Sequence, residues 1–551
     1  MVILLTAYLV WRLSQTDPFL RSSSDYPRGC DPRDRIMKRE KAMTSSGEPT
    51  TSRPFHLAID LGAGSGRAIL GRLADDGLVL DEVHRFHYPP DTSAGHLRWP
   101  FGRILDGIKT GLGKARQAAD AAKGTIETLA ADSWGVDYGL LDAGGRLLED
   151  PVAYRDGRTE GEMERVFRKV PREEIFRRTG IQFLTFNTLF QLHAHVRAGL
   201  PSGARRLLLI PDLCHHALCG STKGEYTNAS TTQLLDVRTR GWADDLFSRL
   251  GLPRELMPEL VVPGTELGEL RPALQKELGL GPIRVLASAT HDTASAVAGT
   301  PLEPGWAFVS SGTWSLVGVE REAPLVNGDV AKANFTNEGG AFGTLRFLKN
   351  LMGLWILESC RKEWAEHGHA PEYESLLAAV ATIEDVPGIL YPDHTRFFNP
   401  ESMVAEVQGA LAETAQEVTD EPARLAKVVL DSLAFRYASV VRTVEKLTGH
   451  RVPGIHIVGG GCQNHYLNQA TADAAGRPVM AGPAEATATG NLLLQSIASG
   501  RLASLAEGRS VVARAVKPKR FEPRERPGWS EAAARYDEIE ERYSASQQKA
   551  W

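Results

Sequence analysis

The sequence predicts an α/β protein built as two lobes of related topology. Three observations point there. A strand pattern at 55–60 runs into the glycine-rich Leu61-Gly-Ala-Gly-Ser-Gly66 and out again through the apolar stretch 67–73. The theme returns after Pro301, as a strand pattern at 306–309, the turn Ser310-Ser-Gly-Thr313 and a second strand pattern at 314–319. Each theme heads a half of similar size, and 551 residues suffice for two large cores.

Taken in order, 55–60, 67–73 and 78–83 form a β-meander, with the turn signal Asp75-Asp-Gly77 before its last strand. A dinucleotide fingerprint needs a helix directly after its glycines, and here a strand follows. No Gly-x4-Gly-Lys-Ser/Thr string occurs, which excludes the P-loop class. Residues 102–122 carry a helical pattern, and 126–131 a strand running into Asp132-Ser-Trp-Gly-Val-Asp137. The middle, 160–250, is mostly helical with Pro and Gly punctuation. A short strand at 283–287 leads into Ser288-Ala-Thr-His-Asp-Thr-Ala-Ser295 and a helix that Thr290 or Thr293 is placed to cap. Further on, 454–458 runs into Gly459-Gly-Gly461 and a helix at 464–475. A tail helix at 530–543 is expected to be exposed, with Glu538, Glu540 and Glu541 on a solvated face. The expected division is 54–298 for the first lobe, 299–510 for the second and 511–551 for the tail helix.

Composition narrows the function classes. A formal charge of −5 without a basic stripe argues against a nucleic-acid surface. Five cysteines without regular spacing make no disulfide framework and suit a reducing cytoplasm. The apolar run 2–11 is about half the length of a membrane span, so no membrane role is expected. Residues 1–53 read as a disordered extension or a mis-assigned start, since Met37 and Met43 both precede the first strand. Cys214-His-His-Ala-Leu-Cys219 lies in a helical pattern with no second cluster at zinc spacing, which favours core packing. His193 and His195, two apart on a helix, face different ways. Trp355 reads as core, while Trp134 and Trp314 suit either core or a sugar-stacking role.

Three small-residue turns after strands fit a nucleoside triphosphate. Gly62, Gly64 and Gly66 let backbone N–H groups approach phosphate oxygens, Ser65 adds a hydroxyl and Arg67 a guanidinium. Ser310–Thr313 offers a second clamp, and the glycines 459–461 leave room for adenine or ribose before a helix N-terminus. Phosphoryl transfer also needs an acceptor for the nucleophile's proton. Asp292, at an ordinary aspartate pKa, would be ionised at pH 7 and could serve. Asp60 could hold Mg²⁺ through water.

The strings Asp60-Leu-Gly-Ala-Gly-Ser-Gly-Arg67, Ser310-Ser-Gly-Thr-Trp-Ser315 and Val458-Gly-Gly-Gly-Cys-Gln-Asn464 resemble those of the FGGY carbohydrate kinases. Within that family, Asp132–Asp137, Gly180–Leu189, Ser288–Ser295, Asn337-Glu-Gly-Gly340 and 348–355 resemble the branch acting on L-rhamnulose. The resemblance covers roughly 55–502. It implies an actin-like ATPase fold, two RNase H-like lobes around a central cleft, and transfer of the ATP γ-phosphate to O1 of the sugar. It implies Asp292 as proton acceptor, with Gly135, His291, Thr293 and Asn350 around the sugar. Ala63, Gly64, Ser65, Gly66, Arg67, Thr313, Gly460 and the residue at 358 would contact ATP. Two positions depart: Glu358 stands where relatives carry Gln, and Pro100 follows Trp99 where they usually carry Asp. A kinase for another ketose or polyol would keep the same nucleotide loops, as would a non-catalytic ATP-binding regulator.

Overall fold

The computed structural model describes residues 53–75, 77–368 and 371–550. The expectations for 1–52 therefore lie outside the described residues. Among those described, two large mixed sheets form the framework, one of six strands and one of seven.

The first sheet contains β1 (Arg53–Leu61), β2 (Ser65–Ala74), β3 (Gly77–His87), β4 (Gly124–Ser133), β5 (Thr265–Glu269) and β6 (Arg284–Ala287), in the order β3-β2-β1-β4-β6-β5. β1 to β3 are antiparallel neighbours, which is the expected meander, whereas β4 runs parallel to β1 and β6 parallel to β4. From Leu57 to Leu61 every β1 residue is buried, as a central strand covered on both faces requires. Helix α1 (Phe101–Ala121) connects β3 to β4 and turns Ile104, Ile108, Leu112 and Ala115 inward at helical spacing. Gly107 lies where a Cβ would overlap the Phe86 ring, so this helix packs closely on the meander. Six short helices occupy the segment 160–250, from Glu162–Phe167 to Asp244–Leu250, as its punctuation suggests. Helix α2 (Asp292–Ala298) follows β6.

The second sheet contains β7 (Ala307–Ser311), β8 (Trp314–Arg321), β9 (Thr336–Gly339), β10 (Leu345–Met352), β11 (Ile455–Val458), β12 (Val479–Ala481) and β13 (Lys519–Phe521). Its order is β9-β10-β8-β7-β11-β12-β13. Again an antiparallel trio, β7-β8-β10, has its first strand beside two parallel successors, β11 and β12. With β9 set aside at the edge, this repeats the first sheet strand for strand, including an antiparallel last neighbour in β5 and β13. The helices are α3 (Trp355–Glu366), α4 (Pro422–Thr448), α5 (His465–Ala475), α6 (Ala486–Ala498) and α7 (Trp529–Ala550). The long α4 packs on β8 and α5.

The halves interlock. α6 comes late in the chain, yet it packs on β1 and β4 of the first sheet and crosses α2. Its Gln495 donates to the Leu57 carbonyl and accepts from Thr128, and its Asn491 donates to Asp132 at 2.5 Å.

Two expectations change. The segment after 511 is more than a tail helix: β13 completes the second sheet before α7 begins at Trp529. Nor is α7 a solvated rod, because Trp529, Tyr536, Ile539 and Tyr543 are buried and Glu540 is ion-paired with Arg436 of α4.

Candidate active site

Strand register assembles one polar row. Asp60 lies opposite Arg67 in the β1–β2 pairing and opposite Asp132 in the parallel β1–β4 pairing, and Ser133 bridges to His291. Arg67, Asp60, Asp132 and His291–Asp292 thus stand side by side near the carboxyl ends of β1, β4 and β6, where open α/β sheets bind ligands.

Asp292 opens α2, with His291 as its N-cap. Neither Thr290 nor Thr293 caps the helix as expected. Thr290 instead donates its N–H and hydroxyl to Glu225, a buried carboxylate that also gathers the N–H and hydroxyl of Thr227. Glu225 thereby anchors the turn from below. One Asp292 oxygen accepts from the Thr293 N–H at 2.5 Å and from its hydroxyl at 3.0 Å. Burial, reinforced by the Asp60 carboxylate, pushes Asp292 up to about 7, so it is not the ordinary aspartate the sequence suggested. Burial, then Asp60, holds Asp132 well above the usual carboxylate range, and one of its oxygens is buried without a partner. Asp60 is 2.5 Å from Arg67, whose other nitrogen pairs with Glu485 ahead of α6. Arg67 is thus held between two carboxylates rather than presented openly to phosphate. Among the described residues no three acidic, His or Cys side chains are grouped to ligate a metal directly.

The first turn is a tight hairpin. Gly62 donates to the Ser65 carbonyl and Gly64 to the Gly62 carbonyl, both at 2.8 Å, so these N–H groups are spent inside the turn rather than offered to phosphate. The Tyr88 hydroxyl props it from behind through the Gly62 and Ser65 carbonyls. The glycines serve different ends. Gly64 has φ +123° and open space where a Cβ would be, whereas a Cβ on Gly66 would lie 2.5 Å from the Phe86 ring. Ala63 at the tip is exposed, as are Thr313 and Gly460 on the opposing turns. Those two turns touch: a Cβ on Gly461 would overlap the Ser311 hydroxyl, while Gly460 faces open space. Two exposed backbone turns thus lie together, and Arg67–Glu485 joins the third to the segment beside them.

Comparison with known proteins bears on this arrangement. The family model described as "FGGY family of carbohydrate kinases, N-terminal domain" matches residues 55–299, and its C-terminal counterpart matches 307–499. The chain belongs to the FGGY family of carbohydrate kinases. Among curated relatives, a rhamnulokinase of Bacteroides thetaiotaomicron is 38% identical over 483 residues, covering 86% of this chain and 97% of its own. One from Enterococcus faecalis is 40% identical, covering 83% and 92%. One from Pectobacterium carotovorum is 41% identical, covering 85% and 93%. The fold matches a gluconate kinase structure from Lactobacillus acidophilus at TM-score 0.72 and 16% identity, covering 90% of this chain and 98% of that one. A Plasmodium falciparum glycerol kinase matches at 0.71 and 15%, covering 89% and 98%. The actin-like two-lobed fold follows.

The remaining site residues can be placed in this FGGY kinase. A Cβ on Gly135 would sit 2.8 Å from the Thr231 hydroxyl, so any larger residue there would have to displace Thr231. Asn350, on β10, is fixed by Gln182 and Glu338. Beside it a cavity of about 400 Å³ opens between β10, α4 and α7, and of the expected sugar residues it touches Asn350 alone. Glu358 lies in the first turn of α3, half exposed and paired with Arg361 at 2.7 Å. Arg361 stacks on Tyr373, which accepts from Asn464 next to the glycines 459–461. The Glu358 carboxylate is thus offset by a neighbouring cation. Pro100 is the N-cap of α1, and Asp150 accepts from the Phe101 N–H at 3.2 Å.

Several functional-looking motifs prove structural. His215 accepts from the Ala131 N–H in β4 and Cys214 is buried beside it, which is core packing. His193 pairs with Glu162 and His195 with Tyr138, on different faces. Trp134 and Trp99 both donate to Asp137, a buried carboxylate that also receives Gln191 and the Tyr154 N–H. Trp355 is only half-buried, with the Arg155 guanidinium 4.0 Å over its ring. Asp132, Glu225 and Glu338 went unassigned from sequence. For Asp132 the signal was available, since its string follows a strand as Asp60 does.

Proposed function

We propose that this protein transfers the γ-phosphate of ATP to the 1-hydroxyl of L-rhamnulose, giving L-rhamnulose 1-phosphate and ADP in the cytoplasm. The observation that carries the chemistry is Asp292, at the head of α2, in line with Asp60 and Asp132. The curated rhamnulokinases, matched over nearly their full lengths, support the choice of sugar. No helix of the described residues is long and apolar enough to cross a membrane.

Residues Gly135, His291, Thr293 and Asn350 would hold the sugar with O1 toward Asp292. Ala63, Gly64, Ser65, Gly66, Arg67, Thr313, Glu358 and Gly460 would border the nucleotide. Asp292 takes the O1 proton as O1 bonds to the γ-phosphorus, and the bond from that phosphorus to the β–γ bridging oxygen breaks, releasing ADP. The lone buried oxygen of Asp132, beside Asp60 in a cluster of mutually raised carboxylates, fits a hydrated dication. Bound there, Mg²⁺ would neutralise phosphate charge. Closing the cleft keeps water from the γ-phosphate.

The test is ADP release with ATP and Mg²⁺ across L-rhamnulose, L-fuculose, D-xylulose, L-ribulose and glycerol. Preference for L-rhamnulose is expected. Preference for another sugar would leave a kinase with a different substrate, and folded protein without sugar-dependent release would overturn the activity.

A further inference from the structure

Behind His291 and Asn350 lies a buried charge pair with an unusual number of unmatched atoms. Glu338 on β9 and Arg346 on β10 face each other across the hairpin, as the pairing register dictates. Arg346 is wholly buried, its Nε donates to the Gly339 carbonyl at 2.9 Å, and one Nη lies 3.2 Å from Glu338 Oε2. Glu338 Oε1 accepts from Asn350 Nδ2 at 3.2 Å, while Glu338 Oε2 lies 3.8 Å from His291 Nδ1. Both Arg346 Nη atoms, Glu338 Oε2 and His291 Nδ1 are buried without a hydrogen-bond partner. Burying so much polarity costs stability unless the site uses it.

An ionised carboxylate only accepts, and that fixes its neighbours. Asn350 Nδ2 spends its two hydrogens on Glu338 and on Gln182 Oε1, at 3.1 Å, which leaves the Asn350 carbonyl oxygen as the group it can offer. Gln182 cannot turn its amide around, since the same oxygen accepts the Asn350 N–H and its Nε2 donates to the Asn350 carbonyl. Burial, aided by Arg346, holds His291 well below its usual range, so the ring is neutral. Its two ring nitrogens lie just beyond hydrogen-bond reach of a carboxylate each, Nδ1 3.8 Å from Glu338 and Nε2 3.7 Å from Asp292, so the orientation that Glu338 fixes is that of Asn350.

We propose that Glu338, clamped by Arg346, is a positioning residue for the sugar, orienting Asn350 so that its side-chain oxygen is presented as a hydrogen-bond acceptor to a substrate hydroxyl. This rests on the sugar-kinase reading above. It deepens that reading by naming a required feature of the substrate, a hydroxyl that donates to Asn350. A sugar lacking that hydroxyl leaves the acceptor unmatched and is rejected strongly, by roughly 10⁴-fold in sites of this kind.

Steady-state kinetics of Glu338→Gln test this. The new amide can donate instead of only accepting, so one of the two acceptors that hold Asn350 Nδ2 is lost and Gln182 alone is left to orient the side chain. The KM for the sugar is expected to rise on the order of 10-fold, one misdirected hydrogen bond, while the KM for ATP stays the same. Should Glu338→Gln fail to fold because Arg346 loses its charge partner, Glu338→Asp keeps the charge but draws it back by one methylene. A rise in sugar KM alone is expected there too. An active wild type whose variant keeps its sugar KM, or loses ATP affinity equally, overturns the proposal by itself. A wild type without sugar-dependent ADP release removes the kinase reading and the proposal with it.

Discussion

Asp292, the proposed base, is held in a field of its own sign. Burial and the Asp60 carboxylate place it near 7 rather than near 4, so at neutral pH about half of the ligand-free protein carries the proton that the reaction must put there. Below that value the competent fraction falls tenfold per pH unit, and above it the fraction levels off. The kcat/KM for the sugar at subsaturating ATP should therefore rise with unit slope to about pH 7 and then flatten. Asp60→Asn removes the like charge and should move this limb to lower pH, whatever it does to the plateau. A limb near pH 4 in the wild type would show that Asp292 keeps an ordinary aspartate pKa and that Asp60 does not raise it. Asp292→Asn should cost on the order of 10²–10⁴ in kcat with the melting temperature nearly unchanged. Asp292 stands out in sequence through its setting. A His-Asp pair between a strand end and a helix start would alone read as a helix cap, and only the glycine turns on either side point to chemistry. Its raised pKa is not legible there, since that depends on Asp60, which lies 232 positions earlier in sequence and meets it only through sheet register.

At the scale of elements, α7 shows how a helix can be seen and its role mistaken. Its glutamates suggested a solvated face, yet Trp529, Ala532, Tyr536, Ile539 and Tyr543 recur at steps of three or four and form the stripe that docks on the protein. Glu540 lies at the edge of that stripe and reaches Arg436, which is 3% exposed, and the Ser439 hydroxyl. Asp393 also holds Arg436, at 2.7 Å, so losing Glu540 leaves the cation half matched rather than bare. Glu540→Ala should destabilise by about 2 kcal/mol, whereas Glu538→Ala, at an exposed position, should fall within about 0.5 kcal/mol of wild type. Chemical denaturation of both variants measures this, and equal stabilities would return α7 to a solvated role. The strands around the glycine turns were readable because each pairs with its sequence neighbour. The β9–β10 hairpin and α4 were not, as their buried polar residues Glu338, Arg346, Lys427 and Asp431 break the apolar pattern and find their partners only in the fold.

The whole molecule depends on how two similar lobes share one site, and the crossing of α2 and α6 is where they do so most closely. A Cβ on Gly490 of α6 would lie 1.8 Å from the Ser295 carbonyl oxygen of α2, and one on Gly299 would lie 2.3 Å from the Ala486 carbonyl oxygen. The obstacles are backbone atoms, so no side chain can turn aside to make room. Propensity alone would favour Gly490→Ala by about 1 kcal/mol. Overpacking typically costs about 1–3 kcal/mol, and a clash with fixed backbone belongs at the upper end, so the net effect should be a loss near 2 kcal/mol. Gly113 on α1 is the control: nothing lies within 4 Å of its Cβ position, and Gly113→Ala should gain up to about 1 kcal/mol. The crossing also lies three residues from the proposed catalytic carboxylate, because Ser295 and Asp292 share the first turn of α2. Relief of the overlap must push α2 away from α6, and a shift of about 1 Å in a reacting group can cost about 10² in rate. Gly490→Ala should therefore lose turnover as well as stability, and Gly113→Ala should keep it. If Gly490→Ala instead kept full kcat while losing stability, α2 would be held by the first lobe alone and the crossing would serve only to join the halves.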